Sequence, residues 1–192
     1  MLSLNTRQIA LLSVLTAVSL GIQLTPRPMN VESTSLLTFL VGILYGGIIG
    51  GFFGGSVMFV NGFLSPWGYG GLVIPFQMAG MAIIGFTAGI YRRSLNKLNN
   101  ARISAEVAVL GAFLTLLYDV ITNTGVAVQI MSAEVPLIIA LISVFSTGVF
   151  ASAIHIVSNT FLFASGFIPL LKALQNIPGG EALWSRKELL RS

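Results

Sequence analysis

Pro136 to Leu171 reads PLIIALISVFSTGVFASAIHIVSNTFLFASGFIPLL, without a single Asp, Glu, Lys or Arg. A bilayer crossing needs about 20 predominantly apolar residues, so a run of about 36 is too apolar for water and too long for one simple crossing. Ser146-Thr147-Gly148 interrupts it. The reading is a short hydrophobic segment at the membrane face, followed by a crossing from about Gly148 to Leu171. The rest of the chain agrees: of its 192 residues, 55% are hydrophobic and 8% charged, with mean hydropathy +0.90. Soluble domains carry roughly 25% charged residues, so a soluble enzyme or a nucleic-acid binder is excluded. The lipid bilayer is the first partner, and no nucleic acid is expected.

Working outward, Gln8 to Leu24 is a first crossing, stopped by Thr25-Pro26-Arg27-Pro28, where two prolines cannot continue a helix. No A-x-A cleavage site follows it, so a signal peptide is not the reading. Val31 to Phe63 is apolar for longer than one crossing needs, and Tyr45-Gly46-Gly47 is the natural turn between two helices. Ser65 to Gly71 forms a loop, residues 73 to 91 a fourth crossing, and Ile103 to Ile130 a fifth. The fold class is therefore all-α: an integral membrane bundle of six transmembrane helices. Residues 1–172 are the bundle and 173–192 a tail.

Charge gives the orientation. With six crossings, Arg7, Arg92, Arg93, Lys97, Arg102, Lys172, Arg186, Lys187 and Arg191 share one side and only Arg27 lies opposite. Positive residues favour the cytoplasm, so both termini and the tail are expected there. A seventh crossing would place the C-terminal basic cluster outside, against that bias. No cysteine and a single histidine exclude disulfides, thiolate sites and multi-histidine metal cages. Neither a metal nor a cofactor is expected.

Small residues recur at helical spacing. Gly46-Gly47, Gly50-Gly51 and Gly54-Gly55 repeat every four residues, as do Gly85 with Gly89 and Ser13 with Ala17 and Gly21. Such ridges let helix backbones approach closely, inside the bundle or against a partner helix. Internal packing is the reading for the glycine ridges, and partner docking for Ser13, Ala17 and Gly21. In this apolar context the glycine run is not a nucleotide loop.

Polar groups within apolar helices are costly and normally face the bundle interior or a wet cavity. Asp119 and Asn123 lie four residues apart, as do His155 and Asn159. On antiparallel neighbours, counting 1.5 Å per residue from the outer face, Asn123 falls level with His155 and Asp119 with Asn159. Asn30, Glu32, Trp67, Tyr69 and Gln77 lie in or near the outer loops. The cluster reads either as a site for a small planar ligand or as interhelical hydrogen bonding, and the two aromatic residues either as ring-stacking faces or as membrane-edge anchors.

Together these features resemble the substrate-binding S component of an energy-coupling factor (ECF) vitamin transporter. The resemblance rests on the six-helix layout, on Asp119-Val120-Ile121-Thr122-Asn123-Thr124-Gly125, and on His155-Ile156-Val157-Ser158-Asn159-Thr160-Phe161-Leu162-Phe163 followed by Pro169. Asn30-Val31-Glu32, Asn61 through Gly68, and Gln77 through Met81 add to it. It implies a binder of a vitamin-like small molecule that docks on a membrane T subunit driven by two cytoplasmic ATPases, and a chain that is not itself an enzyme. It implies a lid in the first outer loop, Arg27 to Glu32, and cargo contacts from the outer halves of the later helices. An Ala-x-x-x-Ala pattern docks the T subunit in that family, and Ser13-x-x-x-Ala17-x-x-x-Gly21 occupies its place here. Flavin, thiamine precursors, cobalamin, pantothenate and queuosine precursors remain open as cargo. An assembly subunit, or a membrane enzyme using His155 and Asp119, is the competing reading.

Overall fold

The computed structural model describes residues 4–26, 28, 30–97, 100–131 and 134–181, apart from the side chains of Asn96 and Lys97. Arg27, Arg186, Lys187, Arg191 and the tail after residue 181 lie outside the described residues. Six α-helices follow one another: α1 (Thr6–Leu24), α2 (Thr34–Tyr45), α3 (Gly47–Leu64), α4 (Val73–Tyr91), α5 (Asn100–Ile130) and α6 (Leu137–Gln175), with a 3-10 turn at Arg92–Lys97 after α4. Among the described residues there is no strand.

Helix boundaries follow local chemistry. A reciprocal cap starts α1: the Gln8 N–H donates to the Asn5 side chain at 2.9 Å and the Asn5 N–H to the Gln8 side chain at 3.0 Å. α1 ends at Leu24, two residues before Pro26, with Thr25 as its cap. Glu32 begins α2 by accepting from the Ser35 N–H at 3.1 Å, which satisfies one of the free donors of a helix start. Gly46 ends it with φ of +99°, a conformation open to glycine and strained for other residues. The two-helix reading of the long apolar run, turning at Tyr45-Gly46-Gly47, matches these boundaries.

All twelve residues of α2 are buried. At 1.5 Å per residue it is about 18 Å long, shorter than a hydrocarbon core of about 30 Å. The other five helices are long and apolar enough to cross a membrane. Their outward faces carry large apolar side chains, with Phe52, Val109, Phe150 and Phe161 each at least 70% exposed, as a lipid-facing surface requires.

Glycine sets the closest packing. A Cβ at Gly85 would strike the Gly50 backbone, one at Gly89 the Gly47 backbone, and one at Gly42 the Gly85 carbonyl. The glycine ridges thus serve contact among α2, α3 and α4, while Gly46 belongs to the turn. Phe39 anchors the aromatic core, its ring 5.4 Å from Phe163 and 5.8 Å from Phe167, centroid to centroid.

The helices alternate in direction. At one end the Tyr45 hydroxyl donates to the Gly179 carbonyl at 2.5 Å, Gly179 lies against Arg7, Gly46 lies beside Arg92, and the Tyr91 hydroxyl donates to Glu106 at 3.2 Å. Asn30 and Glu32, loop 65–72, the C-terminal part of α5 and the middle of α6 meet at the other.

One expectation fails. Residues 146–148 do not break the chain, because α6 is continuous for 39 residues. The Thr147 hydroxyl bonds the Ser143 carbonyl within the helix at 2.8 Å, and Gly148 faces the Asn123 side chain, where a small residue admits close approach. Hydroxyl and glycine here answer a neighbouring helix rather than mark a turn. Pro169 also lies inside α6.

Candidate functional site

Among α3 to α6, at the end of the bundle opposite the Tyr45–Gly179 contact, lies a cavity of about 430 Å3, within the range of about 300–1,000 Å3 usual for small-molecule sites. Loop residues Asn30 and Glu32 line it, together with Gln77 of α4, Asp119 and Asn123 of α5, and His155 of α6. Trp67 and Tyr69 complete the rim but stay 63% and 67% exposed, with Tyr69 stacked obliquely on Phe63. Eight of the nine binding positions expected from the sequence therefore share one cavity.

The ninth, Asn159, is fully buried beside the cavity rather than in its wall. Its amide donates to Glu32 Oε1 at 3.2 Å and to Thr115 Oγ1 at 3.1 Å. Glu32 also accepts from the Ser35 hydroxyl, and its Oε1 stands 3.5 Å from His155 Nε2. On the opposite side of the imidazole, His155 Nδ1 lies 2.7 Å from Asp119 Oδ1. The Tyr118 ring meets His155 edge-on at 5.9 Å. One histidine thus sits between two carboxylates, one from the loop before α2 and one from α5.

The expected register between α5 and α6 is off by one helical turn. Asp119 pairs with His155 and Thr115 with Asn159, whereas counting from the outer face had placed Asn123 and Asp119 at those levels. That count needed a fixed outer start for the sixth crossing, and the unbroken α6 has none at Gly148. Register is set instead by contact: a Cβ at Gly111 would strike the Phe163 ring, and one at Gly148 would press on Asn123.

Buried polar atoms normally find partners. Among the described residues, Asn61 Oδ1, Gln77 Oε1 and Asp119 Oδ2 find no hydrogen-bond partner, and all three residues line the cavity; Asn159 Oδ1, beside it, is likewise without one. Glu32, by contrast, spends its oxygens on Ser35, Asn159 and His155. The site divides into a buried frame (Glu32, Ser35, Thr115, Asn159) and a wall with hydrogen-bonding capacity to spare. Sequence reasoning missed Ser35 and Thr115 in the frame. Thr115 carried a signal, lying four residues before Asp119 on the same helical face, and Ser35 lies three after Glu32.

Away from the cavity, Ser13, Ala17 and Gly21 all lie on the exposed face of α1, while Leu11, Leu15 and Ser19 face the bundle. Among the described residues, nothing beyond its own helix turn would lie within 4 Å of a side chain at Gly21.

No curated protein matches the chain, and no solved structure does. A sequence model of the family described as ECF-type riboflavin transporter, S component, matches residues 3–176. The chain therefore belongs to that family, as a multi-pass membrane protein of vitamin uptake and not an enzyme.

Proposed function

We propose that this chain captures a flavin-type vitamin at the outer face of the cell membrane, in the cavity walled by Asn61, Gln77, Asp119, Asn123 and His155 and rimmed by Trp67 and Tyr69. The observation that carries the reading is the set of three unpartnered polar atoms, on Asn61, Gln77 and Asp119, around a volume of about 430 Å3. Ser19 Oγ, Thr38 Oγ1 and Asn159 Oδ1 also lack partners among the described residues, but they do not share a cavity, whereas these three gather around a ligand-sized volume. In this reading Glu32 and Asn159 contribute by shape, holding the entry loop on α6, and Asn30 continues that loop by accepting from the Ser158 hydroxyl at 3.3 Å. The family's printed description supports riboflavin as the first ligand to try.

The same reading has six crossings with both termini cytoplasmic. Arg7, Arg92, Arg93, Arg102 and Lys172, all at helix ends on the side opposite the cavity, support it by the positive-inside rule. Delivery inward requires the T subunit and two ATPases, and the exposed Ser13, Ala17, Gly21 ridge is the docking surface. Thermal unfolding of the purified protein tests the capture step. Riboflavin at about 100 times its dissociation constant adds about 2.7 kcal/mol of stability. No shift with riboflavin, in protein freed of co-purified flavin by mass spectrometric criteria, refutes the flavin reading.

A further inference from the structure

A flat heteroaromatic ligand needs an apolar surface under its face as well as hydrogen bonds at its edge. Trp67, Tyr69 and Tyr118 all line the cavity. The first two stand at the mouth, largely exposed, and the Tyr69 ring leans on Phe63 at 5.5 Å. Tyr118 is different: it sits on α5, half-buried, and its ring is fixed from three other helices. Gly80 of α4 makes room for it, since a Cβ there would come within 2.8 Å of the ring. Its hydroxyl donates to Sδ of Met58, on α3, at 3.5 Å, and His155 of α6 meets the ring edge-on at 5.9 Å. Met58 and Met81 also line the cavity, and thioethers pack well around aromatic rings. A ring already held in place loses little further freedom when a ligand lies on it. Tyr118 also directly precedes Asp119, whose Oδ2 finds no partner among the described residues. Both residues line the cavity, so a planar ligand held at its edge by Asp119 has its face within reach of Tyr118.

We propose that Tyr118 is the stacking platform of the site, with the ligand's ring system lying on it above an apolar floor of Met58 and Met81, while Trp67 and Tyr69 act only at the mouth. This deepens the capture reading above and rests on it. Ring recognition thereby moves from the two aromatic residues that stand out in the loop sequence to one that helix packing singles out. Removing an aromatic platform weakens binding of a stacked heterocycle by about 10–100-fold.

The test uses riboflavin and its own fluorescence, titrated into the intact purified protein. An excited flavin transiently takes an electron from a tyrosine or tryptophan ring in contact with it, which quenches the emission; phenylalanine is too hard to oxidise to do so. Wild-type protein is expected to quench the flavin on binding. Tyr118→Leu weakens binding by about 10–100-fold, and the flavin that still binds is bright. Tyr118→Phe keeps the ring and gives up only a weak bond to sulfur, so its affinity stays within about threefold of wild type while the bound flavin brightens. That second variant separates stacking from folding, because a merely structural tyrosine would change affinity or yield without changing the emission. Trp67→Leu combined with Tyr69→Leu weakens capture yet leaves the bound flavin quenched. Quenching that survives in both Tyr118 variants, or that disappears in the Trp67 and Tyr69 double variant, overturns the platform and leaves the flavin reading standing. Bright flavin bound to the wild-type protein does the same. Absence of riboflavin binding to the wild-type protein refutes the flavin reading and the platform together.

Discussion

Asn159→Ala separates a frame residue from a ligand contact. Its amide donates to a buried carboxylate, Glu32, at 3.2 Å and to a neutral hydroxyl, Thr115, at 3.1 Å. A hydrogen bond to a charged group contributes about 1.5–3 kcal/mol, and an interhelical bond between neutral groups within a membrane about 0.6 kcal/mol. Losing both destabilises the ligand-free protein by about 2–4 kcal/mol. Thermal unfolding in detergent reads that loss directly. Thr115→Ala, which removes only the weaker bond, costs about a quarter as much, and the double variant costs no more than about 1 kcal/mol beyond Asn159→Ala because the pair shares one interaction. Ligand affinity in Asn159→Ala falls with the stability, through a displaced Glu32 and a looser entry loop, so dissociation quickens more than association slows. Wild-type unfolding combined with lost affinity would refute the frame assignment and return Asn159 to the cavity wall. Wild-type values of both would remove the network from any role.

Gly85→Val places a side chain against the Gly50 backbone, where nothing flexible can yield; overpacking of this kind costs about 1–3 kcal/mol or more, and folded yield in detergent should collapse while Gly21→Val remains folded. Ala17→Leu changes only the exposed face of α1, so ligand binding stays at wild-type level while co-purification with a T subunit is lost; retained co-purification would move docking elsewhere.

The sequence makes the bundle legible because hydrocarbon admits few arrangements of backbone, and the stops fall at residues that suit them: Pro26 after α1, and Gly46 and Gly71, both at positive φ, before α3 and α4. Ser146-Thr147-Gly148 misleads because serine, threonine and glycine have two uses in a membrane helix, to end it or to seat a neighbour, and only the neighbour decides. Gly148 seats Asn123, so the helix continues. The candidate site follows the same division. Which polar residues gather can be read one helix at a time, since each is costly in lipid and has one inward direction. Which residue meets which depends on register between helices, and register is fixed by fits such as Gly111 on Phe163, where the absence of a side chain is the signal. That is why counting residues along each helix sets Asp119 beside Asn159, whereas it lies on His155. The one-turn error also hid the frame: with Asp119 on His155, Asn159 descends to Thr115 and Glu32, out of the cavity wall. A residue's type shows that it must be satisfied, and only the packing of its glycine neighbours shows whether a protein group is there to satisfy it. The Asn159 amide nitrogen is held on two sides by the protein, to Glu32 and Thr115, whereas the free Asp119 oxygen belongs to a residue that lines the cavity.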